Sequence, residues 1–338
     1  MSAPESLPLP ALRAWMAHAL PTLPAIDRAR RLAGGQSNPT WLLEAGERRY
    51  VLRSKPGGRL LASAHAIDRE FRVMGALVGS PVPVATPLAY CDDETVIGSA
   101  FYVMSHVPGE ACWDPAVPDA DVTVRHGMYA QALQTLVALA NLDVDACGLS
   151  DYGRPGNYFA RQITRWTEQY RASETESIAA MDALIQWLPT AAPDDATRAV
   201  LVHGDFRFDN LLWSPQGELL AVVDWELSTL GHPLADLGYF CMALRLPRNG
   251  VLPGLAGLSR SELGIAEEEA LVSAFARATG HDPGNRWRFH LAFHFFRLAA
   301  IAQGVMKRAL QGNAANPQAL AAGRMTRLIA QMGADVAL

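Results

Sequence analysis

The sequence predicts an α+β fold in which a small antiparallel sheet carrying one helix precedes a larger, mainly helical domain. Three observations lead there. Short strand-like runs punctuated by turn residues fill residues 26–53 and 86–106, apolar residues recur at helical intervals over most of the chain after residue 122, and one island of strand pattern, residues 199–224, interrupts those helices.

Residues 9–20 have helical spacing and are stopped by Pro21 and Pro24. Three short strands are expected from Ile26 to Arg53, with Gly34-Gly35-Gln36-Ser37-Asn38 as the first turn and Glu44-Ala45-Gly46-Glu47 as the second. The third strand, Arg49 to Arg53, ends in a cation. A helix follows from about Ala62 to Val78, where Ile67, Phe71, Met74 and Leu77 or Val78 form an apolar stripe. Glu70 stands three residues after Ile67 and four before Met74, so this acid falls on the apolar face. Strands over Thr86–Tyr90 and Ala100–His106 complete a first domain, residues 1–106, and Val107-Pro108-Gly109 leads into a second, residues 107–338.

The second domain reads as helix over Val122–Leu142, Tyr158–Tyr170 and Ile178–Leu188, and again from Glu267 to the C-terminus. Its strand island comprises Ala199–Val202, Asn210–Trp213 and Leu219–Asp224. The last two are joined by Ser214-Pro215-Gln216-Gly217, a type I turn.

A chain of 338 residues, half of them hydrophobic, can bury a core for about two domains without disulfide or metal staples, which excludes a disordered tail or a collagen-like fibre. The formal charge is −5, with no basic run to hold a polyanion, so no nucleic-acid partner is expected. All the cations are arginines except Lys55 and Lys307. Cys91, Cys112, Cys147 and Cys241 are scattered without a CxxC pair and read as reduced, buried thiols. The N-terminus lacks the basic-then-apolar pattern of a secretion signal. The most hydrophobic late segment, His290–Met306, carries His290, His294, Arg297 and Gln303, too polar a set for a lipid-facing span. The expectation is a cytoplasmic protein without a membrane partner, acting as a monomer or homodimer.

The most informative stretch is His203-Gly204-Asp205-Phe206-Arg207-Phe208-Asp209-Asn210, with Asp224-Trp225-Glu226 beginning fourteen residues after Asn210. Phosphoryl transfer needs a carboxylate to accept the proton of the attacking hydroxyl and oxygen ligands for the Mg²⁺ that bridges the nucleotide phosphates. Asp205 and Asn210 are five apart, the spacing at which a kinase loop places its base and a metal ligand, and the hairpin through Ser214–Gly217 returns Asp224 as a second ligand. Arg207 serves either to neutralise the transferring phosphoryl group or to pair with Asp209. His203 reads as a brace for the loop, and Trp166, Trp187, Trp287, Phe293 and Phe296 read as core.

These motifs resemble those of the aminoglycoside phosphotransferase and choline kinase-like family, whose HGDxxxxN loop corresponds to His203–Asn210 and whose D-W/F-E motif corresponds to Asp224–Glu226. Asp68-Arg69-Glu70-Phe71-Arg72-Val73-Met74, Tyr158-Phe159-Ala160-Arg161-Gln162, Trp166, Gln169-Tyr170 and Phe296-Arg297-Leu298-Ala299-Ala300-Ile301 are more similar still to the branch fused to some acyl-CoA dehydrogenases. The resemblance implies a two-lobed protein-kinase-like fold, ATP or GTP as cosubstrate, Mg²⁺, and a small hydroxylated molecule as acceptor. It also implies a cation paired with Glu70 to hold the α- and β-phosphates. The expected lysine is missing; Arg53 occupies the strand end and Lys55 lies two residues beyond, and Arg53 is the choice because a guanidinium can bind a carboxylate and a phosphate together.

By the same resemblance Gly35, Gln36, Ser37 and Asn38 would cover the phosphates with backbone N–H groups, although taken alone they read as an ordinary hairpin turn. Met104–Val107 would be the hinge, with Ser105 and Val107 offering backbone groups to a purine. Asp236 matches a family aspartate that stabilises the catalytic loop. For the acceptor, Asp151, Glu168, Glu174 and Glu176 alternate with Arg154, Arg161, Arg165 and Arg171, which argues against a specialist for polycations such as aminoglycosides. The acyl-CoA-dehydrogenase-linked branch points to hydroxy fatty acids or hydroxyacyl-CoA esters, with Arg161 or Arg297 to receive the anion. Two further readings remain: a nucleotide-binding pseudokinase with Arg53 as its lesion, and a metal hydrolase using His203, Asp205, Asp224, His232 and Asp236.

Overall fold

The computed structural model describes residues 6–32, 38–56, 67–154, 156–193, 198–312 and 319–338. In chain order the elements are α1 (Leu9–Ala19), β1 (Arg28–Arg31), β2 (Thr40–Ala45), β3 (Arg48–Ser54), α2 (Ile67–Leu77), β4 (Pro87–Cys91), β5 (Phe101–Ser105) and β6 (Glu110–Ala111). They continue with α3 (Val122–Asn141), α4 (Tyr158–Ser173), α5 (Ala179–Ala191), β7 (Val200–Val202), β8 (Leu211–Trp213), β9 (Leu219–Val222), β10 (Thr229–Gly231) and α6 (Ala235–Leu244). The last are α7 (Arg260–Leu263), α8 (Glu268–Thr279), α9 (Trp287–Leu310), α10 (Ala319–Arg324) and α11 (Thr326–Ala337). Two compact units result, one of Met1–Glu110 with Leu220–Leu227, the other of Ala111–Leu219 with Ser228–Leu338. The first unit thus ends at Glu110 and takes in Asp224 and Glu226.

In the first unit β1-β2-β3-β5-β4 form one antiparallel sheet. The two-residue period of a strand sorts its side chains onto two faces. Trp41 and Leu43 of β2, Tyr50 and Leu52 of β3, and Phe101 and Val103 of β5 share one buried cluster with Leu12 and Met16 of α1. The alternate residues therefore point to the other face. There Arg53 stands directly opposite Tyr102 in the β3–β5 register, and the Phe71 ring of α2 lies 5.8 Å from that of Tyr102.

In the second unit α9 is the central helix. By length and composition Gly284–Leu310 could cross a membrane, but 78% of its apolar window is buried inside the protein, the condition of a core helix. The antiparallel pair β7–β10 leads the chain into the loop at His203.

The α+β expectation holds, with local differences. The helix expected from Ala62 is seen from Ile67, its first residues lying outside the described set. Asn210 closes a 3₁₀ turn, Phe208–Asn210, instead of opening a strand, and β9 ends at Val222, before Asp224. The run expected as one helix from Glu267 breaks at Gly280, whose φ of 76° ends α8 in the left-handed region that favours glycine. Helix α6 was not expected, because it is apolar all round and shows no helical period.

Phe206 and Phe208 anchor the loop that follows β7. The Phe208 ring lies 4.5 Å from Tyr129, 5.4 Å from Trp213 and 6.1 Å from Phe240. Phe208→Ala should therefore cost about 3–5 kcal/mol in urea-denaturation stability. A loss under about 1 kcal/mol would show that this aromatic cluster does not hold the loop.

Candidate active site

The loop His203–Asn210 is built by alternation. Phe206, Phe208 and Asn210 are buried, whereas Asp205, Arg207 and Asp209 are half-exposed, so the anchor residues turn inward and the charges outward. Asp236, in the first turn of α6, accepts the His203 N–H at 2.7 Å on one carboxylate oxygen and the Gly204 N–H at 2.8 Å on the other. Gly204 has φ of 86°, a conformation costly for any residue with a Cβ, and this bends the chain so that both N–H groups reach one carboxylate. Burial raises the Asp236 carboxyl above the usual range, opposed by His203 and the two N–H donors. His203 is the expected brace: its Nδ1 accepts the Asp205 N–H at 3.2 Å.

Asp205 and Asn210 come together as expected. Asn210 Nδ2 donates to the Asp205 carbonyl at 2.8 Å and to Asp205 Oδ2 at 3.0 Å, which fixes the amide and leaves its oxygen for a cation. Arg207 reaches both neighbouring acids, with NH2 2.9 Å from Asp209 Oδ2 and Nε 3.3 Å from Asp205 Oδ1. The pairing with Asp209 is thus present, and the same guanidinium touches Asp205.

The first unit holds the second set of charges. Arg53 Nε is 3.1 Å from Glu70 Oε2, its NH2 donates to Asp224 Oδ1 at 2.6 Å, and Glu226 Oε2 lies 3.7 Å away. Glu70 is 1% exposed, so the acid read on the apolar stripe is indeed buried and has the Arg53 partner expected of it. Burial pushes the Glu70 carboxyl up to about 7, against the pull of Arg53. Burial also disfavours the Arg53 charge, but Glu70, Tyr102 and Asp224 together outweigh it and raise the guanidinium above its ordinary value. Asp224 has φ of 67°, a strained backbone for a residue with a side chain and the kind of outlier that marks functional turns. Lys55 sits two residues past Arg53, outside β3, with no ion pair among the described residues.

Gly35, Gln36 and Ser37 lie outside the described residues. Asn38 is buried and its Nδ2 donates to Glu226 Oε2 at 3.2 Å, so its side chain serves the charge cluster. At the expected hinge, the Ser105 N–H is taken by the Thr86 carbonyl and the Val107 carbonyl by the Gly109 N–H, each at 2.9 Å. Among the described residues the Val107 N–H has no backbone acceptor, as a purine-binding donor requires.

Beside the catalytic loop, Arg207 and Asp209 border a cavity whose walls include Phe208, Phe240, Leu246, Leu252 and Pro253. Trp113, 63% exposed, stands at its edge. Arg297, read as a receiver for an acceptor's anion, is instead buried between the rings of Trp166 and Tyr239.

Oxygen donors suit Mg²⁺, which keeps several waters and takes its remaining ligands from phosphate. The Asp224 carboxylate in the first unit and the Asn210 amide oxygen in the second are each donors of that kind. Among the described residues no three His, Cys, Asp or Glu side chains are grouped to hold a metal, and His232 Nδ1 is taken by the Leu234 N–H at 3.1 Å. The hydrolase reading therefore has no ligand set. Sequence reasoning missed Tyr102, whose signal is its strand register with Arg53.

Residues 28–287 match the model of the family described as the phosphotransferase enzyme family. Acyl-CoA dehydrogenase family member 10 of Mus musculus is 46% identical over 305 residues, covering 90% of this chain and 28% of the relative. Acyl-CoA dehydrogenase family member 11 of Homo sapiens is 40% identical over 301 residues, covering 88% and 38%. The chain thus spans well under half the length of these curated relatives. A crystal structure from Ralstonia eutropha, assigned as an aminoglycoside phosphotransferase, shares 45% identity at a TM-score of 0.89 and covers 98% of both chains. Aminoglycoside phosphotransferase APH(4)-Ia, solved as a ternary complex with AMP-PNP and hygromycin B, is 15% identical at a TM-score of 0.62, covering 96% of this chain and 98% of that one. These likenesses bear out the protein-kinase-like fold and the resemblance, including its acyl-CoA-dehydrogenase branch.

If Arg53 is the phosphate-binding cation, Arg53→Met should weaken ATP binding at least about tenfold in equilibrium titration, whereas Lys55→Met should change it less than about threefold. The reverse order would move the phosphate-binding role to Lys55.

Proposed function

The chain belongs to the phosphotransferase enzyme family, and from that premise we propose that it is a Mg²⁺-requiring kinase that transfers the γ-phosphoryl group of ATP to a hydroxyl of a small molecule. The observation that carries the proposal is Asp205, held by both Asn210 contacts on a loop whose backbone Asp236 fixes. Such a carboxylate can accept a hydroxyl proton without first being oriented. The acceptor oxygen forms the new bond to phosphorus, the bond from phosphorus to ADP breaks, and the proton passes to Asp205. Asn210 and Asp224 would hold Mg²⁺, which when bound would offset phosphate charge. Arg53, oriented by Glu70, takes the α- and β-phosphates, and Ser105 and Val107 offer backbone groups to the base. Arg207 offsets negative charge beside Asp205 as the phosphoryl group arrives. ATP is favoured over GTP by the AMP-PNP bound in the APH(4)-Ia complex.

Support for a working enzyme over a pseudokinase is that Asp205, Asn210 and Asp224 are all present and that Arg53 makes the Glu70 pair a lysine would make. The acceptor reading is a hydroxyacyl compound, as a hydroxy fatty acid or its CoA ester. It is supported by the apolar walls Phe240, Leu246, Leu252 and Pro253 next to Arg207 and Asp209, which suit an acyl chain and not a polycation.

The test is ADP formation from MgATP with hydroxy fatty acids, hydroxyacyl-CoA thioesters and aminoglycosides as acceptors. Turnover is expected with the hydroxyacyl compounds, and Asp205→Asn should lose roughly a thousandfold while binding ATP within about threefold of wild type. Asp205→Asn turnover within about tenfold of wild type would remove the base assignment, and turnover of aminoglycosides alone would overturn the acceptor class.

A further inference from the structure

The segment after β6 carries Trp113 to the edge of the cavity bordered by Arg207 and Asp209. A tryptophan is seldom left largely in water. This indole is nevertheless 63% exposed, and no other Phe, Tyr or Trp among the described residues is exposed. Every other residue lining the cavity is buried or half-buried. The cavity itself is about 30 Å³, room for a water or two. An acyl chain can enter it only if a wall yields.

The other walls are pinned. Asp114, the next residue after Trp113, receives the Arg248 guanidinium on both carboxylate oxygens, with NH2 2.7 Å from Oδ2, and its Oδ1 also accepts the Ala116 N–H at 2.9 Å. Buried Tyr129 donates its hydroxyl to the Pro115 carbonyl at 2.7 Å. Leu246, Leu252 and Pro253 belong to a loop closed by the Leu255 N–H on the Leu244 carbonyl at 2.8 Å, and a Cβ on Gly254 would run into the Leu246 backbone. Phe208 and Phe240 stack on each other at 6.1 Å. Trp113 is thus the one loose side chain on a fixed frame, and the backbone beside it is held by the Asp114–Arg248 pair.

We propose that Trp113 is a specificity-determining residue for the acceptor: its indole turns aside to admit the apolar tail of a hydroxyacyl compound into this cavity and then covers it, so that long acyl tails are preferred to short ones. The inference rests on the acceptor class proposed above. Covering a methylene chain takes both the indole and the chain out of water, which favours the closed arrangement. Rotation about two side-chain bonds is enough to admit the tail, and no loop has to move.

The test has a binding arm and a turnover arm. In the first, acrylamide quenching of tryptophan fluorescence is followed as 3-hydroxydecanoyl-CoA is titrated into wild type and Trp113→Phe. Wild type should lose quenchable emission as the thioester binds, and Trp113→Phe should lack that change. In the second, the preference for 3-hydroxydecanoyl-CoA over 3-hydroxybutyryl-CoA is taken as the ratio of their kcat/KM values in ADP formation from MgATP. This ratio should fall at least about tenfold in Trp113→Ala, the effect of about two methylene groups left in water. The thermal midpoint should hardly move, because the side chain lies at the surface. Quenching that is unchanged at saturation, or a Trp113→Ala ratio within about twofold of wild type, would overturn the inference. The two arms separate the claims. If the thioester shields Trp113 but is not phosphorylated, the acceptor reading fails and the binding role stands. If it is phosphorylated while Trp113 stays open to the quencher, only the role of Trp113 fails, and if it does neither, both fail.

Discussion

A guanidinium at the end of a buried strand cannot be left without counter-charge, and the first unit is arranged around that constraint. Desolvating one such cation costs several kcal/mol unless carboxylates meet it in good geometry. Arg53 finds Glu70 from α2 and Asp224 and Glu226 from the segment Leu220–Leu227, which joins this unit from far along the chain. That segment is pinned twice more, by the Val222 N–H on the Pro83 carbonyl at 2.8 Å and by Asn38 on Glu226. Three carboxylates around one cation leave an excess of negative charge, which a divalent cation would neutralise. Under the proposed function that excess is what Mg²⁺ would meet, with Arg53 turning to phosphate.

The second unit solves a different problem, that of holding a polar loop still. At the loop's start two backbone N–H groups converge on Asp236, and Phe206 and Phe208 fill the space beneath. Because the loop alternates strictly, each anchor fixes the charged neighbour on either side. Asp205 is thereby set by packing and backbone hydrogen bonds before any substrate arrives, the organisation that the proposed proton transfer would use.

What was legible in the sequence followed from local spacing. Glu70 betrayed its burial by lying on an apolar stripe, which called for a cation, and the family resemblance placed that cation at the strand end, where Arg53 stands in place of the missing lysine. The loop from His203 to Asn210 was legible because its residues are contiguous. The apolar run of α6 gave no period to read, so the helix went unrecognised even though Asp236, in its first turn, did not. The return of Asp224 to the first unit was also invisible, since its contact with Arg53 spans 171 residues of chain. Arg207 stayed ambiguous because one guanidinium can serve two acids, and it does. Arg297 was expected to receive an acceptor's anion on the branch resemblance alone, and nothing in the local spacing showed that it is buried among aromatic rings.

In the proposed function Asp224 would hold the metal that accompanies the nucleotide, beside Arg53. Calorimetric titration of ATP with and without Mg²⁺, into wild type and Asp224→Ala, tests it most directly. Binding should be tight only with Mg²⁺ in wild type and should lose this metal dependence in Asp224→Ala. Equal Mg²⁺-dependent affinity in the two proteins would contradict it.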